Sequence, residues 1–363
     1  MSFCIAKQQT KTKSKSYNIL ILNVGRRVEL VNCFKNAAKR LYISSVVVGA
    51  DCQDIAPALY FADKFCILPK ISSFNYIDSI IDACNKNNIS LVVPTIDTDL
   101  LTLAQNKEKI ESSTSARVLI SDVKVIETCR DKINSQRFLE KHYFNVPHMY
   151  TDDELETIIN HNDRNEKFPL FIKPKDGSSS NNVYKVNNHL ELDMYRRIVP
   201  NAIVQDFIQG EEFTVDCFLD FNSNIITVVP RLRIATRSGE VSKGKVVKDK
   251  EIIKDVKRLL SVLKPIGHIT IQCMKTNKGI EYIEINPRFG GGAPMSIQSG
   301  ADSCEYLYRL LMGEELNYTE DYQDNLLFLR FDMSICLNDK MDVVRSTIAD
   351  CIDFENNLQG KKI

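Results

Sequence analysis

The sequence predicts two folds in succession, an α/β domain with a doubly wound parallel sheet and then an α+β region. Up to about residue 121, short apolar runs alternate with amphipathic helical stretches, which is typical of parallel βαβ units. From Gly210 onward, apolar runs and period-two alternation indicate that strands predominate.

The first βαβ unit gives the clearest pattern. A continuous apolar run at residues 18–24 is typical of a strand that is buried on both faces, and Gly25 then turns the chain. A second buried strand is predicted at residues 46–49, ahead of Asp51. A helix between the two strands is indicated by apolar residues at helical spacing, namely Val28, Val31, Phe34, Ala38 and Leu41.

The remaining elements follow in chain order and divide the chain into predicted parts. The parts are a flexible tail (1–16), a parallel-sheet domain (17–121), a small α+β unit (122–206), a strand-rich unit (207–337) and a tail or linker (338–363). Helices are predicted at 76–84, 98–110, 132–142, 190–199 and 252–263, with one more ending at 312. Strands are predicted at 91–94, 118–120, 168–173, 183–186, 202–207, 213–219, 225–230, 266–274, 280–286 and 326–335.

Composition argues against several classes of protein. The 363 residues include 47 basic and 47 acidic side chains, and this balance gives no electrostatic footprint for nucleic acid or an anionic membrane. No apolar run approaches the roughly 20 residues of a membrane span, and the first sixteen residues contain no secretory signal. The eleven cysteines include no CxxC pair, and the five histidines show no zinc-binding spacing. We therefore predict a soluble, cytoplasmic protein with reduced cysteines, which binds neither nucleic acid nor membrane.

The most informative segment is a predicted hairpin that turns at residues 275–279. Pairing around this turn places Gln272 opposite Glu284, and period-two alternation puts Asn286 on the same face. One carboxylate and two amide oxygens therefore converge, and such oxygen ligands suit Mg²⁺. A solvated polar face on a half-buried strand is the alternative interpretation.

The residues around these oxygen donors favour the functional interpretation. Ile283 and Ile285 are expected to point into the core. Pro287 ends the strand, and Arg288 supplies a guanidinium that can bind phosphate through two hydrogen bonds. The three glycines at 290–292 allow the backbone to approach a ligand closely.

Two further segments could contact a nucleotide. Lys173 lies at the end of an apolar strand, just before a Gly/Ser/Asn loop at residues 176–182 whose N–H groups could cover phosphates; an ordinary surface hairpin would look the same. At residues 204–216 a strand ends, kinks at Gly210 and restarts, which could expose backbone groups to an adenine edge. Taken alone, the acidic residues of that segment are interpreted as surface carboxylates: Glu211, Glu212 and Asp216.

Together and in this order, the segments resemble the ATP-grasp superfamily, and within it the short proteins similar to the large subunit of carbamoyl phosphate synthase. The resemblance extends over about residues 18–335 and implies an ATP-grasp fold behind a Rossmann-like pre-ATP-grasp domain. Its motifs are Val24-Gly-Arg-Arg27, Ala50-Asp51, Ala58-Leu-Tyr-Phe-Ala-Asp63, Pro94-Thr-Ile-Asp97, Asp131-Lys132, Phe171-Ile-Lys-Pro174, Gly177-Ser-Ser-Ser180, Gln205-Asp-Phe-Ile208, Gly210-Glu-Glu-Phe213 and Glu284-Ile-Asn-Pro-Arg-Phe-Gly-Gly-Gly292.

The resemblance implies a role for each matching residue. ATP phosphates would be bound by Lys132 and Lys173, with Lys173 also near the adenine, and covered by a lid of Gly177, Ser178, Ser179 and Ser180. The adenine hinge would comprise Gln205, Asp206, Phe207 and Ile208, with Glu212 on the ribose or adenine side. Mg²⁺, with Mn²⁺ as an alternative, would be held by Gln272, Glu284 and Asn286. The implied catalytic residues are Arg288, which would stabilise the transferred phosphoryl group, Lys173 and Asn286.

The sequence departs from the family pattern at two of these positions. Gln272 occupies a metal position that is Glu in many relatives, so one of two metal sites is expected to be weaker. Asp206 replaces the usual hinge Glu, and the shorter side chain could loosen the adenine contact.

The function that the resemblance implies is a Mg·ATP-dependent carboxylate–amine ligase. Such an enzyme acts through an acyl phosphate, releases ADP and phosphate, and takes a small-molecule carboxylate and an amine as substrates. A homodimer is compatible with the resemblance. The alternatives are a subunit of the carbamoyl phosphate synthase type and a non-catalytic ATP-binding subunit. A dinucleotide-dependent oxidoreductase is suggested by Gly25 and Asp51 but disfavoured by the absence of GxGxxG.

Overall fold

The chain was analysed as a computed structural model, in which residues 15–160, 167–175 and 182–346 are described. Within these ranges it forms four sheets of five, six, three and two strands. Most of the predicted N-terminal tail and residues 347–363 lie outside the described ranges. Among the described helices, none combines the length and the apolar character that a membrane span requires.

The N-terminal domain is built on a five-stranded parallel sheet. Its strands are β1 (Asn18–Ile21), β2 (Val47–Asp51), β3 (Lys64–Ile67), β4 (Ile89–Val93) and β5 (Arg117–Val118), in the order β3-β2-β1-β4-β5. The connections contain helices α1 (Val28–Arg40), α2 (Tyr76–Asn87) and α3 (Asp97–Ser113) and a short 3₁₀ helix at Pro57–Phe61. The adjacent strands pair in parallel, so the predicted doubly wound sheet is confirmed. Strand β3 escaped prediction because it is an edge strand with mostly exposed side chains.

Strand β1 is buried on both of its faces. Ile19 and Ile21 pack into one core cluster, whereas Leu20 and Leu22 pack into another on the opposite face. The first cluster also contains Phe289 from the C-terminal half of the chain, so the N-terminal sheet packs directly on the second half. The strand order reverses between β1 and β4, and the carboxyl ends of these strands form the crevice in which open α/β sheets bind ligands.

A small antiparallel sheet follows the N-terminal domain. Its strands are β6 (Leu170–Pro174), β7 (Tyr184–Val186) and β8 (Ala202–Asp206), and β6 is central. Helices α4 (Val123–Arg130) and α5 (Lys132–Lys141) precede this unit, and helices α6 (Asp152–Asn160) and α7 (His189–Ile198) belong to it. Leu155, Leu170 and Leu192 form part of its separate core.

The largest sheet is antiparallel and has six strands in the order β13-β12-β9-β10-β11-β14. The strands are β9 (Glu211–Leu219), β10 (Ile225–Arg237), β11 (Glu240–Val246), β12 (Gly267–Thr276), β13 (Gly279–Asn286) and β14 (Leu327–Leu329). Helix α8 (Lys250–Leu263) covers one face, and α9 (Ala293–Gln298) and α10 (Ser303–Leu311) lie between β13 and β14 in the chain. Leu139 of α5 packs into the same core as α8, although it precedes the small sheet in the chain. The division at residues 122, 207 and 338 stays a prediction.

The last described strands differ from the prediction of one strand at residues 326–335. The structure has two short strands there, β14 and β15 (Ile335–Leu337), and β15 pairs with β16 (Val343–Ser346), which lies within the predicted tail. Leu327 and Leu329 are 56% and 62% exposed, so this apolar run is not the mark of a buried strand. Apolar character alone therefore gave the wrong strand length.

Candidate nucleotide-binding and active site

A cavity of about 650 Å³ lies where the N-terminal domain, the small sheet and the large sheet meet. All the predicted site residues that the structure describes line it: Lys132, Lys173, Gln205, Asp206, Phe207, Ile208, Glu212, Gln272, Glu284, Asn286 and Arg288. The predicted lid residues Gly177, Ser178, Ser179 and Ser180 lie outside the described residues. The structure thus brings together side chains from four separate stretches of sequence.

The β12–β13 hairpin has the predicted pairing, with Gln272 opposite Glu284. A β-bulge then shifts the register, so that Cys273 pairs with Tyr282 and Ile283 becomes the extra residue. Tyr282 and Ile285 are buried, whereas Ile283 is only partly buried and lines the cavity beside Glu284. The expectation that Ile283 points into the core was therefore wrong, because strict alternation does not anticipate a bulge.

Gln272, Glu284 and Asn286 all line the cavity, at the end of the hairpin that is far from its turn. Within the described ranges, no group of three or more His, Cys, Asp or Glu side chains could hold a metal ion. A set of one carboxylate and two amides fits Mg²⁺, which binds few protein ligands and keeps waters and nucleotide phosphates in its shell. The Nζ atom of Lys132 lies 4.0 Å from Glu284 Oε1, so the Lys132 ammonium group faces the same carboxylate that would bind Mg²⁺.

Lys173 ends strand β6 with its side chain buried in the cavity wall. Burial lowers the pKa of Lys173 to about 8; Glu284 opposes this shift, and the nearby charge of Lys132 reinforces it. The charged form of a buried ammonium group is stabilised when an anion binds beside it. Lys173 is therefore suited to binding a phosphate.

The predicted adenine hinge joins two strands from different sheets. Strand β8 ends at Asp206 and β9 begins at Glu211, so the intervening residues belong to neither strand. Tyr150 donates a hydrogen bond of 2.7 Å to Asp206 Oδ1, which holds this carboxylate against the small sheet. A Cβ atom on Gly210 would lie 2.3 Å from the carbonyl oxygen of Lys275, so only glycine fits this close approach to β12.

Arg288 is held by a residue that sequence reasoning did not assign to the site. Its Nε and Nη2 atoms donate to the two carboxylate oxygens of Asp97, at 2.9 and 2.6 Å. A third hydrogen bond, of 3.3 Å, reaches Asn286 Oδ1. Asp97 begins helix α3 in the N-terminal domain, and the motif Pro94-Thr-Ile-Asp97 was the available signal for it.

Asp216 lies beneath the cavity floor and is only 1% exposed. Its Oδ2 atom accepts a hydrogen bond of 2.6 Å from Nε of Arg231, and Ser296 also donates to this oxygen. Although burial opposes ionisation, the Arg231 guanidinium and His268 hold the pKa of Asp216 well below its usual range. The interpretation of Asp216 as a surface carboxylate was wrong, because Asp216 is buried and pairs with Arg231, which is also buried.

The contacts of Asp51 bear on the alternative interpretation that the protein is a dinucleotide-dependent oxidoreductase. Its Oδ2 atom accepts a hydrogen bond of 2.9 Å from the backbone N–H of Gly25, and its Oδ1 atom accepts one of 3.1 Å from that of Gln53. One oxygen thus holds the turn after β1 and the other the turn after β2, whereas a dinucleotide site would require this carboxylate to accept from a ribose hydroxyl. This geometry disfavours a dinucleotide-binding role.

Two family models match successive parts of the chain. Residues 19–119 match the PylC-like N-terminal domain, and residues 129–292 match the ATP-grasp domain. The chain contains an ATP-grasp domain. The cavity lies largely within the ATP-grasp region, with further lining from Arg27 and Asp97 of the N-terminal domain. The predicted resemblance and fold class are confirmed.

Two curated proteins are similar to parts of this chain. The carbamoyl-phosphate synthase of Methanobrevibacter smithii is 23% identical over 147 residues, which cover 39% of this chain and 38% of that protein. The D-alanine–D-alanine ligase of Fusobacterium nucleatum is 32% identical over 66 residues, which cover 18% of this chain and 23% of that protein. The chain therefore spans less than two-fifths of the length of either curated relative.

Among solved structures, the biotin carboxylase domain of 2-oxoglutarate carboxylase from Hydrogenobacter thermophilus is similar throughout. The TM-score is 0.67, with 16% identity over 85% of this chain and 73% of that chain. That protein was crystallised with MgADP, ADP and bicarbonate. At this level of identity the likeness establishes the fold.

Proposed function

We propose that this protein is a Mg·ATP-dependent carboxylate–amine ligase that acts through an acyl phosphate. The observation that carries the proposal is the composition of the cavity between the N-terminal domain and the two antiparallel sheets. Two lysines, three oxygen donors suited to Mg²⁺ and Arg288 all line it. Phosphoryl transfer requires mainly positioning and neutralisation of charge, and these groups supply both.

In the first step, an oxygen of the acid substrate attacks the γ-phosphorus of ATP, ADP leaves, and an acyl phosphate forms. Arg288 is suited to this step because Asp97 already orients its guanidinium, and its Nη1 atom, which donates one hydrogen bond to the backbone oxygen of Phe289, keeps a second N–H group for a phosphoryl oxygen. Lys132 and Lys173 would bind phosphate oxygens. When bound at Gln272, Glu284 and Asn286, Mg²⁺ would neutralise charge on the transferred group.

In the second step, the amine nitrogen attacks the acyl carbon, inorganic phosphate leaves, and the nitrogen loses a proton to solvent. The chain requires no side-chain nucleophile for this chemistry. Its contribution is to limit the access of water to the acyl phosphate, for which a cavity with walls from three structural units is suited.

The test is to identify the nucleotide product. Purified protein is incubated with Mg²⁺, ATP and a panel of small acids and amines, and the nucleotides are separated by chromatography. We expect ADP and phosphate to form only when a suitable acid and amine are both present. Formation of AMP and pyrophosphate would contradict the acyl-phosphate mechanism, and nucleotide binding without turnover for any pair would indicate a non-catalytic subunit.

Three further properties belong to this proposal. We infer a homodimer, a cytoplasmic location and the acceptance of Mn²⁺ as an alternative to Mg²⁺. The nine described cysteines are all free, which is compatible with a reducing compartment. Sedimentation velocity and replacement of the metal in the turnover assay would test the assembly and the metal preference.

A further inference from the structure

Four arginine side chains line the cavity, and three of them are paired with a carboxylate. The pairs are Arg288 with Asp97, Arg233 with Glu212, and Arg231 with Asp216. Arg27 differs from them, because its Nη2 atom donates a hydrogen bond of 2.7 Å to the backbone oxygen of Thr95. Among the described residues, no carboxylate oxygen lies within 4.0 Å of its guanidinium nitrogens.

Arg27 and Arg288 are anchored to the same short segment after strand β4. Arg27 is bound to Thr95 and Arg288 to Asp97, so both guanidinium groups contact the same stretch of three residues. Asp97 neutralises one of them. Burial and the charge of Arg288 lower the pKa of Arg27 to about 10, so it stays protonated at neutral pH.

The backbone adds to the positive potential at this point. Arg27 is the N-cap residue of α1, a helix of 13 residues, and no side chain caps this end. The first N–H groups of a helix attract an anion, and the end of α1 lies at the crevice between β1 and β4. An anionic ligand group would therefore meet both a guanidinium and a helix N-terminus.

The nucleotide phosphates are not the expected partner of Arg27. Lys132 and Lys173 form a separate cluster around Glu284. The charged groups that face Arg27 are instead Arg288, Glu240, Asp97 and Arg330. Neither lysine is among the charged groups that act on Arg27.

We propose that Arg27 binds a second carboxylate of the acid substrate, so that the preferred substrates are small dicarboxylic acids. The inference rests on the proposed function, because it takes the reacting carboxylate to lie beside Arg288. A dicarboxylate bound in this way would present one end to Arg288 and leave the other end on Arg27. Arg27 would then determine which acid is accepted.

The test compares acids of equal chain length for binding to the full chain with Mg²⁺ and a non-hydrolysable ATP analogue. Titration calorimetry with succinate against butyrate, and with glutarate against valerate, should show at least one dicarboxylate binding about 10- to 100-fold more tightly than its partner. Arg27→Gln should abolish this preference, and Arg27→Lys should retain part of it. Lys39→Gln is the control, because Lys39 is an exposed residue of α1 that does not line the cavity.

Three results would overturn the inference. They are equal affinities within both pairs, no detectable binding of either dicarboxylate, and a preference that survives in Arg27→Gln. A loss of nucleotide affinity above about tenfold in Arg27→Gln, with a normal melting temperature, would also overturn it by making Arg27 a phosphate contact.

The proposed function is tested separately by ADP release. If the preference depends on Arg27 but no acid and amine yield ADP, the ligase proposal fails and the binding site stands. If butyrate or valerate supports ADP release equally well in wild type and Arg27→Gln, the ligase proposal stands and the inference fails.

Discussion

Asp97, the first residue of helix α3, accepts two hydrogen bonds from Arg288, which lies 191 positions later in the chain. The pair joins the N-terminal domain to the glycine-rich end of the large sheet. Because both carboxylate oxygens are used, the plane of the guanidinium is fixed before any substrate binds. The orientation of the residue proposed to stabilise phosphoryl transfer therefore depends on a different domain.

Asp97→Asn should lower ligase turnover about 10- to 100-fold, because an amide oxygen can accept only one of the two hydrogen bonds and its NH₂ group faces the guanidinium. The Kd of ADP should change less than about threefold, since Arg288 is expected to contact only the transferred group. Turnover and calorimetry measure the two effects. The control is Glu108→Gln, an exposed residue of the same helix. Equal losses of turnover and ADP affinity would contradict this role.

Glu284→Gln should remove the effect of Mg²⁺ on nucleotide affinity, because it deletes the only carboxylate among the three proposed metal donors. Titrating Mg²⁺ at a fixed concentration of an ATP analogue would measure this. We also expect turnover to fall at least about 100-fold. Glu281→Gln on the same strand is the control, since Glu281 accepts a hydrogen bond from Thr276 and does not line the cavity. An unchanged response to Mg²⁺ in Glu284→Gln would exclude this metal site.

The affinity for an ATP analogue should fall as the pH rises through about 8, because Lys173 then loses its proton and no longer neutralises a phosphate. Lys173→Arg should flatten the profile between pH 7 and 9, since arginine stays charged throughout that range. Calorimetry at several pH values tests both expectations. Wild-type affinity that is constant from pH 7 to 10 would argue against a phosphate contact at Lys173.

Ionisation of the buried Asp99 side chain should lower the free energy of unfolding as the pH rises. Its side chain is fully buried, and burial raises its pKa to about 7, against the hydrogen bonds from Asn23 and Tyr76. The folded state therefore binds a proton between about pH 4 and 7 that the unfolded state has lost. Over this interval the free energy of unfolding should decrease by up to about 4 kcal/mol.

Denaturant titrations of Asp99→Asn at pH 5 and pH 8 test this dependence. The variant cannot ionise at residue 99, so its stability relative to wild type should rise between the two pH values. Asp82→Asn, at an exposed position of α2, is the control and should show no such trend. A stability difference for Asp99→Asn that is equal at both pH values would contradict the raised pKa.

The sequence predicted best what depends on local periodicity. The pairing of Gln272 with Glu284 followed from the position of a turn, because antiparallel register is fixed once the turn is known. Ile283 was misplaced, since a bulge is a local break in that periodicity. Likewise, exposed apolar residues such as Leu329 imitate a buried strand in the sequence.

Contacts between distant segments lay beyond such reasoning. The partner of Asp216 is Arg231 on the neighbouring strand β10, and the partner of Arg288 is Asp97 in another domain. The first contact depends on the exact pairing of β9 with β10 within one sheet, and the second forms only when the N-terminal domain packs on the large sheet. The family resemblance located the segments of the site, whereas the ion pairs that orient its arginines required coordinates.

The segment after β4 gives the protein a simple route to new substrates. It is short, and Thr95 fastens it to the end of β1 by donating hydrogen bonds to the backbone oxygens of Leu22 and Asn23. A mutation in this segment would alter the acid-binding site that we propose at Arg27 and Arg288. It would leave Lys132, Lys173 and the predicted adenine hinge unchanged. Evolution can therefore change which acid is accepted while the residues proposed to bind ATP stay the same.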